Sequence, residues 1–328
     1  MKLQLKKSVI LFLAILLIQI AGTFAQEKSV YKQYYLTPFI VNPAFTGSNY
    51  YPGALLSVRR QWVGIPESPA TYFLSGNYRI GSYDFYDPKG FVNKGALELK
   101  DRMGLGAALY NHNYGPENLL GGNISYAYHV PLSSKYELSF GMSVIANYHS
   151  LRSDMLKPDQ PDDPYLLNGN DPVFRMNFNL GILLHSNNNY IGFSTVKLLP
   201  DANAVNETNE FLPSYYLMAG QKIKINRVLL FEPSITAKKL GDEPISADIY
   251  AKLYVNRLHW TSISYSTNGN INIIVAVHVI KMVHAGYSYE YTLGKIGSFN
   301  YGTHNIFLGI NLGLFQVEGI RTSIIRKI

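Results

Sequence analysis

Between Ile271 and Thr292 the chain alternates. Ile271, Ile273, Val275, Val277 and Val279 are all apolar, while Asn272, Ile274, Ala276, His278 and Ile280 between them are mixed. After Lys281 the pattern restarts, with Val283, Ala285, Tyr287, Tyr289 and Tyr291 set against Met282, His284, Gly286, Ser288, Glu290 and Thr292. A period of two sends successive side chains to opposite faces, so it predicts strands. Read the same way, the whole chain predicts strands over 53–62, 70–80, 102–112, 119–131, 135–150, 173–185, 189–197, 213–225, 227–238, 245–255, 257–267, 270–280, 281–292 and 303–315. Alternation is clearest where Tyr136, Leu138, Phe140, Met142, Val144, Ala146 and Tyr148 face away from Glu137, Ser139, Gly141, Ser143, Asn147 and His149. The last strand sets Ile306, Leu308, Ile310, Leu312 and Leu314 against Gly309, Asn311 and Gly313.

Alternation is shared with soluble sandwiches, so length and recurrence must decide the environment. Runs of ten or more residues exceed the usual soluble strand and suit a tilted strand crossing a bilayer. The prediction is an all-β fold, an antiparallel up-and-down transmembrane outer-membrane β-barrel of about fourteen strands over 53–316. A lead-in over 26–52 precedes it, where Pro38, Pro43 and Pro52 argue against a regular strand, and a basic tail over 317–328 follows. Outer-membrane barrels usually close on an aromatic residue; Phe315 is the candidate, and a tail that paired as a further strand would change the count.

Connection lengths give an independent check. With both ends of the barrel in the periplasm, the long connections at 151–172, 198–212 and 293–302 fall after odd strands, facing outward. The short turns at 132–135, 186–188, 224–227 and 256–258 fall after even ones. Long outer loops and short periplasmic turns are the expected asymmetry. The exception is 81–100, a long connection on the periplasmic side for which a docking role is the expectation.

Composition narrows the class. Charged residues make up only 16%, with 26 Tyr, 27 Gly and no Cys, which suits a barrel with tyrosine girdles and excludes disulfides and thiolate metal sites. Lys2, Lys6 and Lys7, an apolar run from Val9 to Ile18, and Thr23-Phe24-Ala25 predict a signal peptide over 1–25, cleaved before Gln26. Its removal takes three lysines and no acid, lowering the formal charge from +7 to +4. That mild charge gives no support to nucleic-acid binding.

Candidate chemistry is sparse. The eight histidines, at 112, 129, 149, 185, 259, 278, 284 and 304, show no HxxxH or HExxH spacing. His129 and His149 sit on neighbouring predicted strands, so a metal pair is conceivable, but polar lumen residues are the better expectation. No GxSxG is present, and Gly104-x-Gly106 lies inside a strand, so neither a hydrolase elbow nor a dinucleotide site is expected. Asp154, Asp159, Asp162, Asp163 and Asp171 gather in a proline-rich stretch that could hold calcium, though without EF-hand spacing a solvated outer loop is the default. Trp62 and Trp260 are read as aromatic-belt residues rather than a ligand platform. Arg59 and Arg60 are either a lumen cation paired with Glu or interfacial anchors. Asn42-Pro43-Ala44-Phe45-Thr46-Gly47 reads as a turn, with Gly47 free to take positive φ.

The run from Gln33 to Ile80 also resembles the opening of the PorP/SprF family of type IX secretion and gliding proteins of the Bacteroidetes lineage. The matching residues are Gln33-Tyr34, Asn42-Pro43-Ala44 with Gly47, and Gln61-Trp62 followed by Val63-Gly64. The closing segment from Ala285 to Leu312 resembles that family's last two strands. The resemblance implies an outer-membrane protein without catalysis or cofactor, helping export or surface attachment of a partner surface protein, often an adhesin, with a C-terminal secretion domain. It also implies a peptidoglycan-binding periplasmic partner and a signature, Asn42 to Gly47, that plugs or braces the periplasmic mouth. A passive diffusion porin is the alternative, because fourteen strands leave room for a narrow channel.

Overall fold

The computed structural model describes residues 34–48, 53–80, 102–133, 135–152, 155, 172–199, 212–256, 258–280 and 282–311. Its strands are β1 (Gly53–Arg60), β2 (Ala70–Arg79), β3 (Met103–Tyr114), β4 (Glu117–Pro131), β5 (Glu137–Leu151), β6 (Val173–His185) and β7 (Asn189–Val196). They continue with β8 (Ser214–Gln221), β9 (Ile223–Lys224), β10 (Leu229–Leu240), β11 (Ser246–Val255), β12 (His259–Ser266), β13 (Asn270–Ile280), β14 (Val283–Thr292) and β15 (Thr303–Asn311). The two-residue β9 carries β8 past Lys222 and pairs only with β10, so the fifteen segments build a wall of fourteen strands. Each strand pairs antiparallel with its neighbours, and the wall closes where Gly53 of β1 faces Asn311 of β15 and Arg60 faces His304. Every strand except the short β9 has a partner on both sides, closing the ring as strands in hydrocarbon must, while Val173–Asn177 of β6 and Ile223–Lys224 of β9, at opposite ends of the wall, pair with a strand on one side alone.

The alternation read from the sequence is inside-out relative to a soluble protein. Large apolar side chains stand outward, with Ile124 71% and Ile306 66% exposed, while Ser57, Thr71, Asn123, Ser139 and Asn179 are buried facing inward. A continuous apolar outer surface around a polar interior is the arrangement of a barrel solvated by lipid.

The lead-in does not join the wall. Tyr34 to Ser48 runs through the interior and includes the 3-10 turns Pro38–Ile40 and Pro43–Phe45, each opening on a proline. Proline lacks the N–H that the first turn would leave unpaired, so those two prolines that exclude a strand suit these turns. Tyr34, Phe39, Ile40, Val41, Asn42, Ala44 and Thr46 are buried against the inner face.

One expectation is corrected and one conceivable pairing is excluded. Trp260 is not a belt residue: it points inward, stacked on Phe307 with ring centroids 6.1 Å apart and Lys252 Nζ 3.9 Å from its ring. His129 and His149 do not meet, because His129 lies opposite Ser139 and His149 opposite Leu119, toward opposite ends of the β4–β5 pair. The signal peptide at 1–25, the connection at 81–100, the five aspartates from 154 to 171, Phe315 and the tail at 317–328 lie outside the described residues.

Candidate functional site

The signature turn is seated in a trough of glycines. Gly104 and Gly106 on β3, Gly141 on β5, Gly181 on β6 and Gly192 on β7 bring the wall backbone close to the lead-in. A Cβ at Gly141 would overlap the main chain of Pro43 and Ala44, one at Gly181 would overlap the Asn42 amide, and one at Gly104 would overlap Thr46. Glycine weakens a strand, so five of them at one level of the wall mark where another backbone comes close. Gly47 leaves the trough at φ 71° with its Cα against Gly104.

Asn42 holds the turn together. Its side-chain oxygen accepts from Ala44 N at 3.1 Å, capping the 3-10 turn. Its amide nitrogen donates to wall carbonyls, Ile182 O at 3.4 Å and Phe193 O at 3.5 Å.

A buried polar chain ties the end of the turn to the wall. Arg79 grips Glu137 with both terminal nitrogens, at 2.9 and 3.2 Å, and the pair is wholly buried. His185 Nε2 lies 3.5 Å from Glu137 and 3.1 Å from Ser139 Oγ. Ser139 Oγ lies 2.6 Å from His129 Nδ1, and His129 Nε2 lies 2.9 Å from the Thr46 carbonyl. A carbonyl only accepts, so Nε2 of His129 carries the proton and Nδ1 accepts from Ser139. The direction of every bond then follows, from His185 N–H to Ser139, from Ser139 O–H to His129, and from His129 N–H to the lead-in. Thr46 Oγ1 adds a bond to Ser125 Oγ at 3.0 Å.

The other end is anchored by aromatics. Tyr34 donates to Asp248, which also accepts from Lys238 Nζ at 2.8 Å, and Tyr250 OH donates to Tyr34 OH at 3.0 Å. Asn305 Nδ2 donates to Tyr35 OH at 3.1 Å. Beside it Arg59 pairs with Glu290 at 3.1 Å, which settles Arg59 as the lumen cation, while Arg60 is exposed. Between these anchors the lead-in spans the lumen from β11, β14 and β15 to β3–β7. A cavity of about 40 Å³ bordered by Tyr34, Tyr35, Asp248 and Asn272 remains beside the aromatic anchor, room for a few waters.

The signature is split between two places. Asn42, Pro43, Ala44 and Gly47 lie together in the trough. Gln61 and Trp62 lie past the far end of β1, a strand of eight residues about 26 Å long. There Gln61 N donates to Pro69 O at 2.9 Å, Trp62 takes φ 46°, and Val63 exchanges bonds with Gly302 and Tyr301, fastening the β1–β2 loop to the start of β15.

Ser139, His129, His185 and Glu137 were not brought together by sequence spacing, because β4, β5 and β6 supply them from a stretch of 57 residues, 129 to 185. Their types suggest a hydrolytic triad or a metal site, with His129, Glu137 and His185 offering ligand atoms within 4.8 Å. The geometry favours neither. His185 presents the same Nε2 to both Ser139 and Glu137, whereas a triad needs opposite ring nitrogens. Ser139 and His129 are fully buried under the lead-in. Both nitrogens of His129 are engaged, and Arg79 already holds both oxygens of Glu137 and would repel a cation there. The chain of bonds is a clamp on the lead-in.

The family model described as type IX secretion system membrane protein PorP/SprF matches residues 23–310. No curated protein matches the chain. Solved structures similar to it are outer-membrane barrels. Omp33 of Acinetobacter baumannii is 7% identical, covering 80% of this chain and 98% of that one, with a TM-score of 0.46. The toluene transporter TodX of Pseudomonas putida is 9% identical, covering 90% and 97%, with a TM-score of 0.48. Outer membrane phospholipase A of Escherichia coli is 9% identical, covering 83% and 98%, with a TM-score of 0.39.

Proposed function

This chain belongs to the PorP/SprF family of type IX secretion system membrane proteins, and we propose that it assists export or surface attachment of a partner surface protein by binding rather than by conducting solutes. The partner is an adhesin-like protein with a C-terminal secretion domain. It is gripped by the outer loops, while the periplasmic face docks to a peptidoglycan-binding component of the machinery. The observation that carries the binding mode is the lead-in lying across the lumen, seated on five glycines and fastened at both ends. A diffusion channel needs a continuous water path, and a wall built to receive a backbone segment works against one.

The test is a clean deletion in cells that secrete through the type IX route. Loss of one surface protein from the cell exterior, with small-solute uptake unchanged, is the expected result. Normal surface display with slowed solute uptake would replace this reading with the porin.

A further inference from the structure

On the rim carrying the short turns, periplasmic by the asymmetry of the connections, the exposed charges of the described turn residues are cationic. Lys222, Lys224 and Arg227 in the β8–β10 turn and Lys135 in the β4–β5 turn are all exposed, and none has an ion-pair partner among the described residues. The two described acids nearest that rim are occupied elsewhere, Glu137 by Arg79 and Glu232 by the Tyr254 hydroxyl at 2.8 Å.

The β8–β10 turn stands out further. β7 reaches only as far as Gln221, opposite Asn189, so Ile223 and Lys224 have a partner in β10 and none on the other edge. The tip is nevertheless built firmly. Lys222 N donates to Asn188 O at 2.6 Å, and Asn226 Oδ1 accepts from Val228 N and Leu229 N at 2.8 and 2.7 Å. Its two faces differ in chemistry. Ile223 and Ile225 continue the outward row of Tyr215 and Leu217 and are exposed, as lipid-facing residues are. Lys222 and Lys224 fall on the opposite face, which looks toward the barrel axis and the mouth.

We infer that this hairpin is a cationic lip that receives an acidic, extended segment of a periplasmic protein, added along the free edge of β9. Exposed backbone groups on an edge strand recruit an extended chain, and the flanking charges choose its sign. The orientation favours a protein over lipid headgroups, because the apolar face of the tip meets the membrane and the lysines turn away from it. The inference rests on the docking of secretion machinery proposed above and adds where it binds and what charge it brings.

The experiment uses the full mature protein in nanodiscs, the purified periplasmic peptidoglycan-binding component of the machinery as probe, and vesicles containing phosphatidylglycerol as a second probe. Neutralising the lip with Lys222→Gln, Lys224→Gln and Arg227→Gln should weaken binding of the periplasmic component tenfold to a hundredfold, at about two- to fivefold per exposed charge. Raising salt should weaken the native protein in the same way, and Lys222→Arg with Lys224→Arg should restore it. Unchanged binding in the neutralised protein, with its heat-modifiable barrel band intact, would overturn the inference. Loss of phosphatidylglycerol binding alone would overturn it in favour of lipid. Either result leaves the proposed function standing as long as gene deletion still abolishes surface display.

Discussion

Gly141→Ala separates the wall from its guest. In an ordinary strand this change relieves the entropic cost of glycine and stabilises by about 0.5–1 kcal/mol. Here the new Cβ would fall on the main chain of Pro43 and Ala44, which has no rotamer to retreat to. Overpacking of this kind costs about 1–3 kcal/mol. A loss of about 2 kcal/mol lowers the ratio of seated to unseated lead-in about thirtyfold, while the barrel keeps or slightly gains stability. Gly122→Ala is the control, because its Cβ meets Leu109 Cδ2 at 3.4 Å and nothing closer. Conductance in planar bilayers reads the outcome. The native protein and Gly122→Ala should stay closed, and Gly141→Ala should show open bursts with an unchanged unfolding temperature. A silent Gly141→Ala with a raised unfolding temperature would refute the trough as the seat of the lead-in.

The remaining predictions concern the fastenings. Arg79→Met leaves Glu137 buried without its partner and should cost about 3–5 kcal/mol, seen as a lower temperature for loss of the heat-modifiable band, whereas Arg79→Met with Glu137→Leu should be milder than the single change. Asn42→Ala removes a cap and two weak wall bonds and should cost about 1–2 kcal/mol, read as faster proteolysis of the lead-in with the barrel still resistant. Val275→Arg, on the lipid face, should cost about 2–4 kcal/mol of membrane stability and reduce insertion, while Ser262→Thr on the lumen face should be tolerated.

Much of the fold was legible because a lipid-solvated strand states its environment twice, in period and in length. The predicted segments at 135–150, 173–185 and 270–280 match β5, β6 and β13 closely, since each carries an uninterrupted outward row such as Ile273, Val275 and Val277. The lead-in was legible only as an interruption. Pro38 and Pro43 say that Tyr34–Ser48 is not a strand, but no periodicity says that an irregular segment lies inside a barrel. The receiving glycines were equally silent, because Gly141 and Gly181 each look like a small residue on a polar face until their neighbours are known. Trp260 was misread for a related reason: an aromatic near a strand end fits a belt as well as a lumen, and only its register opposite Ala276 decides. The clamp of Arg79, Glu137, Ser139, His129 and His185 could have been approached by asking which inward rows carry charge. His185 and Glu137 do fall opposite each other once β5 and β6 are paired.

A lead-in held inside a closed wall is the premise on which the binding role rests, and a cross-link tests it in the native membrane. The chain has no cysteine, so Thr46→Cys with Ser125→Cys introduces only one possible intramolecular disulfide. The two native hydroxyls are 3.0 Å apart, so sulfurs in their places need to approach by only about 1 Å to reach the S–S bond length of about 2.05 Å. Efficient disulfide formation in whole cells, with each single-cysteine variant shielded from a membrane-impermeant maleimide, is the predicted result. Two freely labelled thiols and no cross-link would mean that the lumen stands open and the binding account is wrong.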